Sequence, residues 1–185
     1  GINGGAFVVA ARTVPDKRHG IGLFVVEEGM EGFQRGRNLA KMGLKTQDTA
    51  ELFFEGVRVP AENVLGDPEK GFYSLMHFLA EERLISACQE IAHAQVAFDI
   101  TLDYILDRKA FGKPLTGFQT VRHLIVQLEA ELEAARQLTY RATDLLNRGE
   151  NALREITMSK LIAGETACRV VDRCLQLHAE LGHGD

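Results

Sequence analysis

The sequence predicts an α+β chain, mostly α. A partial β-sheet or barrel domain over residues 1–66 is followed by an incomplete antiparallel helical bundle domain over residues 67–185. Three observations carry this. Before Gly66, β-branched and aromatic residues fall in short runs separated by glycine and proline. After Asp67-Pro68, apolar residues recur at helical spacing to the end of the chain. The 185 residues are 45% apolar and 25% charged, enough to bury a core and unlike a disordered chain.

The first strands are expected at Ala6 to Ala10 and Gly22 to Val26, with Pro15-Asp16, Gly20, Gly29 and Gly32 as punctuation. A further strand is expected at Leu52 to Val59, stopped by Pro60, which cannot donate a ladder hydrogen bond. Three or four strands in so short a piece leave open edges, so this piece is expected to complete a larger sheet.

The first long helix is expected to carry its apolar stripe on Phe72, Leu75, Met76, Leu79, Ile91, Ala94, Phe98, Leu102 and Ile105. A second uses Val121, Leu124, Ile125, Leu128, Leu132, Ala135, Ala142 and Leu145, unbroken by glycine or proline until Gly149. The third uses Leu153, Ile156, Ala163, Ala167, Val170, Cys174 and Leu177. Short loops at 110–117 and 147–150 imply an up-and-down bundle. Its stripes are broad enough to want a fourth helix or another subunit. The abrupt first strand and the closing Gly182-His183-Gly184-Asp185 suggest a piece of a longer protein.

A formal charge of −5 with mixed signs offers no basic field for nucleic acid and no polybasic membrane patch. No run approaches the roughly 18 apolar residues of a spanning helix, and Gly-Ile-Asn-Gly-Gly is not a signal peptide. A soluble protein of the cytoplasm, or of the mitochondrial matrix in a eukaryote, is expected. Cys88, Cys168 and Cys174 lack metal-ligand spacing and fall in helical patterns, which favours reduced, packed thiols.

Glu82 is the candidate with chemistry. Phe78 and Leu79 precede it by one turn, and Ile85 and Ser86 follow by one turn, so it shares a largely apolar helix face. Burial there would make a carboxylate basic enough to take a proton from carbon. The bland alternative is a rim residue paired with Arg83 or with a neighbouring helix. Arg108-Lys109-Ala110-Phe111-Gly112-Lys113, followed by Phe118-Gln119, combines a guanidinium fork that suits pyrophosphate with a ring that can pack on adenine. Read from the residues alone, such a cluster is most often a loop with a helix C-cap.

These strings, with Leu79-Ala80-Glu81-Glu82-Arg83-Leu84-Ile85 and the long run from Lys41 to Gly66, resemble the acyl-CoA dehydrogenase family. The match covers about residues 3–178 and is closest to the long-chain and isovaleryl-like branch. The resemblance implies an FAD-dependent enzyme that desaturates acyl-CoA thioesters, works as a homodimer or homotetramer and passes electrons to an electron-transferring flavoprotein. It places Glu82 as the catalytic base and Arg83 at the thioester and CoA end of the substrate. It places Arg108 and Phe111 on the FAD of a neighbouring subunit, with Gln119 along the same dinucleotide and Gln176 near its pyrophosphate. Departures are Ala80, where the family often has an aspartate, and Ala179-Glu180, where it has a glycine pair. Relatives on the same scaffold include oxidases and monooxygenases, and a flavin-free scaffold or partner-binding module is the reading from a different class. The isolated piece is expected to be inactive.

Overall fold

The computed structural model describes residues 1–15 and 17–178. It falls into two compact units, Gly1–His77 and Phe78–Asp185.

In the first unit, β1 (Ala6–Arg12) and β2 (Ile21–Glu27) pair antiparallel from Ala6 opposite Glu27 to Arg12 opposite Ile21. A second hairpin joins β3 (Phe33–Asn38) to β4 (Ala50–Phe54), with an irregularity between Arg35 and Asn38. β3 is a strand that the sequence reading missed, because Phe-Gln-Arg-Gly-Arg-Asn carries one large apolar residue and its extended form comes from pairing with β4. The strand expected at Leu52 to Val59 instead ends at Phe54, since the chain turns through Gly56 at φ +65°. Gly32 is obligatory: at φ +85° a Cβ would stand 2.1 Å from the Glu55 carbonyl oxygen.

The free edge of β2 is used by the segment after Pro60. Leu65 N–H donates to Leu23 O at 2.9 Å, and Asn63 Nδ2 donates to Val25 O at 3.0 Å. Asp67 then accepts the Glu69 N–H at 2.9 Å, a side-chain turn that leads into the first helix.

The second unit is built from α1 (Gly71–Asp107) from Phe78 onward, α2 (Gln119–Asn147) and α3 (Leu153–His178). Their buried positions recur at steps of three or four. They are Leu84, Ala87, Ile91, Ala94, Phe98, Thr101 and Ile105 on α1, and Leu128, Leu132, Ala135, Thr139 and Ala142 on α2. Ala152, just before α3, begins the third series, which continues on α3 with Ile156, Ser159, Ala163, Thr166, Val170 and Cys174. This spacing produces coiled-coil-like seams. Leu84 packs with Ala142, Ala152 and Ile156, so the early part of α1 meets the late part of α2 and the early part of α3. The helices therefore run up, down and up.

Several expected stripe residues are not inside. Met76, Leu79 and Leu153 are exposed, because the seams run through Leu84 and Ala152, which the apolar pattern did not select. Of the cysteines, Cys174 is packed, whereas Cys88 and Cys168 are exposed on outer helix faces. Burial pushes the Cys174 thiol above its ordinary value, against a hydrogen bond from Thr101 that pulls it down.

Candidate functional site

The candidate cofactor residues gather at one end of the bundle. α1 stops at Asp107, and a two-rung hairpin follows, β5 (Lys109–Ala110) against β6 (Lys113–Pro114). Its two-residue turn is Phe111 at φ 49° and Gly112 at φ 81°. Two consecutive positive φ values define the turn whose twist matches a tight hairpin. Gly112 adopts this freely, whereas Phe111 is strained there. The consequence is exposure: Phe111 stands 97% accessible at the tip.

The hairpin is braced from below. Leu115 N–H donates to Arg108 O at 2.9 Å, and Arg122 donates through Nη1 to Thr116 O at 3.0 Å. Lys113 Nζ lies 4.1 Å from the Phe118 ring centre and 3.2 Å from Gly117 O. Phe118 meets Phe111 edge to face at 6.4 Å. Gln119 opens α2, its amide nitrogen 3.4 Å from His123 Nε2. Gln176 lies exposed in the last turn of α3. Because the helices alternate in direction, Arg108, Phe111, Gln119 and Gln176 occupy the same end. Lys113 and Phe118 complete the cluster; the sequence held them in the same string, but their pairing with each other needed the turn.

Glu82 and Arg83 sit far from this end. From Glu82 to Asp107 the helix rises roughly 38 Å at 1.5 Å per residue. The burial expected for Glu82 is not found within this chain: it is exposed, as are Phe78 at 62%, Leu79 at 38% and Ile85 at 51%. The reason is angular. Glu82 is about 200° around the helix from Leu84, the seam residue, so it shares the outward apolar face. Among the described residues, Glu82, Arg83 and Arg108 are in no ion pair.

No group of three His, Cys, Asp or Glu among the described residues could hold a metal ion. No described helix is long and apolar enough to cross a membrane. His178 packs on Tyr104; His183 and the Ala179-Glu180 departure lie outside the described residues.

A three-helix bundle with this hairpin is the helical part of a larger family. Residues 69–185 match the family described as Acyl-CoA dehydrogenase, C-terminal domain. The chain belongs to the acyl-CoA dehydrogenase family. It is 41% identical over 175 residues to the mitochondrial long-chain specific acyl-CoA dehydrogenase of Rattus norvegicus, covering 95% of this chain and 41% of that protein. The crystal structure of an acyl-CoA dehydrogenase from Geobacillus kaustophilus superposes with a TM-score of 0.95 at 40% identity, over 100% of this chain and 50% of that one. PigA with FAD and proline superposes with a TM-score of 0.93 at 25% identity, over 97% of this chain and 47% of that one. The chain thus spans half or less of the length of these relatives.

Proposed function

We propose that the complete gene product is an FAD-dependent acyl-CoA dehydrogenase that introduces an α,β double bond into acyl-CoA thioesters, in fatty-acid or branched-chain acyl-CoA oxidation. Residues 1–66 are the C-terminal part of its middle β-domain and 67–185 belong to its helical bundle domain. The observation that carries the reading is the hairpin end of the bundle, where an exposed aromatic is held in a strained turn next to an uncommitted guanidinium and a helix-opening glutamine.

That donor set fits a flavin dinucleotide. Phe111 offers a face for adenine, Arg108 a fork for the pyrophosphate, and Gln119 and Gln176 amides that hydrogen-bond along it. When bound, the flavin supplies the two-electron acceptor for the hydrogen leaving the β-carbon. Glu82 is the base, its carboxylate taking the α-proton, and Arg83 holds the thioester and CoA end. An acyl chain laid along Leu79 and Ile85 would exclude water from Glu82 and so supply the apolar setting that this chain alone does not. The roughly 38 Å between Glu82 and the hairpin agrees with the hairpin serving the cofactor of a neighbouring subunit in a homodimer or homotetramer. An electron-transferring flavoprotein is the electron acceptor, and the compartment is the cytoplasm, or the mitochondrial matrix in a eukaryote. The isolated 185-residue piece is inactive.

The test is spectral and kinetic. The purified gene product is expected to show flavin absorbance, and Glu82→Gln to keep that absorbance while losing about 100-fold or more of its acyl-CoA turnover. A colourless wild-type protein would favour the flavin-free scaffold, and near-normal turnover of the variant would move the base elsewhere. The likeness to PigA favours, as second reading, a flavin enzyme of different chemistry. Oxygen consumed in step with substrate would select that oxidase or monooxygenase reading.

A further inference from the structure

The last described turn of α3 is gripped by α1 through a polar node that the scheme above does not use. Thr101 is 1% exposed and stands in a seam whose other members on α1 are apolar. Its hydroxyl donates to the Ala97 carbonyl at 2.7 Å and lies 3.1 Å from His178 Nε2. A threonine hydroxyl has one proton and two acceptor positions. With the proton committed to Ala97, the contact to His178 is accepted by the oxygen. His178 therefore carries hydrogen on Nε2. The His178 ring also stacks on Tyr104, with centroids 4.3 Å apart and planes 21° apart.

The last carbonyls of any helix lack intrahelical donors, and a terminal turn frays unless something ties it down. Cys174 and His178 are one turn apart on the inner face, Cys174 buried and His178 held by Thr101 and Tyr104. Gln176 lies two residues from each, hence on the opposite, exposed face. A rigid inner face fixes where the outer face points.

We propose that His178, held between Thr101 and Tyr104, is a positioning residue that fixes the last turn of α3 and so the direction in which Gln176 meets the cofactor. This rests on the reading of Gln176 as a cofactor contact given above. Four variants of the complete gene product test it in a Cys88→Ser, Cys168→Ser background, which removes the two exposed thiols and leaves Cys174 as the reporter among the described residues. His178→Ala removes ring and donor, His178→Phe keeps the ring alone, Thr101→Val keeps the shape without the hydroxyl, and Gln176→Ala removes the amide that is positioned.

Labelling of Cys174 by a thiol reagent under native conditions is expected to be about fivefold to tenfold faster in His178→Ala and Thr101→Val, less so in His178→Phe, and unchanged in Gln176→Ala. FAD dissociation is expected to rise by a similar factor in His178→Ala, Thr101→Val and Gln176→Ala. Turnover in His178→Ala and Thr101→Val should recover to wild-type kcat at saturating FAD, with the KM for acyl-CoA unmoved. Wild-type labelling rates in both His178→Ala and Thr101→Val would overturn the tie itself. Faster labelling with unchanged FAD affinity would overturn the positioning role and leave a structural tie. Labelling as expected with no loss of FAD in Gln176→Ala would instead overturn the cofactor reading on which the inference rests.

Discussion

The hairpin unit and the helical unit hold themselves together by different means. In the first, the buried large apolar side chains among the described residues are Leu23 and Val26, both on β2. Polar clasps do much of the remaining fastening. Arg35 reaches the carbonyls of Ile2 and Gly4, pairs with Glu28 at 2.9 Å and lies 5.7 Å from the Phe7 ring centre. Asp48 accepts the Asn3 N–H at 2.9 Å. The helical unit instead buries a residue every three or four positions along each helix, and its buried polar groups answer one another, as with Thr139 Oγ1 and Ser159 Oγ at 2.7 Å. Burial is collective and water-excluding, whereas clasps at the surface compete with water for each bond. The helical unit should therefore be fragile to loss of volume and the hairpin unit sensitive to pH and charge.

The sharpest way to break this contrast is a cavity. Leu132→Ala removes a side chain with no exposure from the seam of α2 and is expected to lower unfolding free energy by about 3 kcal/mol, read by denaturant titration. A loss below about 1 kcal/mol would mean the seam is not the organising core.

A smaller effect tests the buried hydroxyl pair. Thr139 spends its proton on the Ala135 carbonyl at 2.9 Å, so Ser159 is the donor across the helices. Ser159→Ala leaves the Thr139 oxygen with a lost donor and is expected to cost about 1 kcal/mol by the same titration. A neutral result would show that packing alone aligns α2 and α3.

The smallest effect belongs to the clasp. The Asn3 N–H holds the Asp48 carboxyl below its ordinary value, overriding a burial contribution in the other direction. A lowered carboxyl pKa in the folded state adds stability that is full above the unfolded value and is lost as pH falls through the folded one. Hydrogen exchange at Asn3 should thus be protected at neutral pH and lose protection below the ordinary aspartate range, while Asp48→Asn should flatten that dependence. Protection that ignores both pH and the substitution would assign the clasp to Arg35 alone.

The three helices were legible because long periodic runs report a buried face whichever neighbour covers it. Their phase was less so. Ala87 and Ala152 are weak apolar signals yet lie inside, while Met76, Leu79 and Leu153 are strong ones and lie outside. β3 was hidden because its extended backbone is imposed by β4. At the candidate site, Arg108, Phe111 and Gln119 could be picked from the string, but nothing local predicts that an aromatic takes the left-handed corner of a two-residue turn.

Chain order and residue type alone determined an α+β chain with strands before Asp67, helices after it, and carboxylate, guanidinium and aromatic groups in family-like strings. Only the three-dimensional arrangement decided which helix faces are inside, that Arg108, Phe111, Gln119 and Gln176 share an end, and that Thr101 meets His178. The division has a physical cause. Periodicity is a property of one helix, whereas burial, turn geometry and hydroxyl bonding depend on residues as far apart as Thr101 and His178, which meet only when the helices pack.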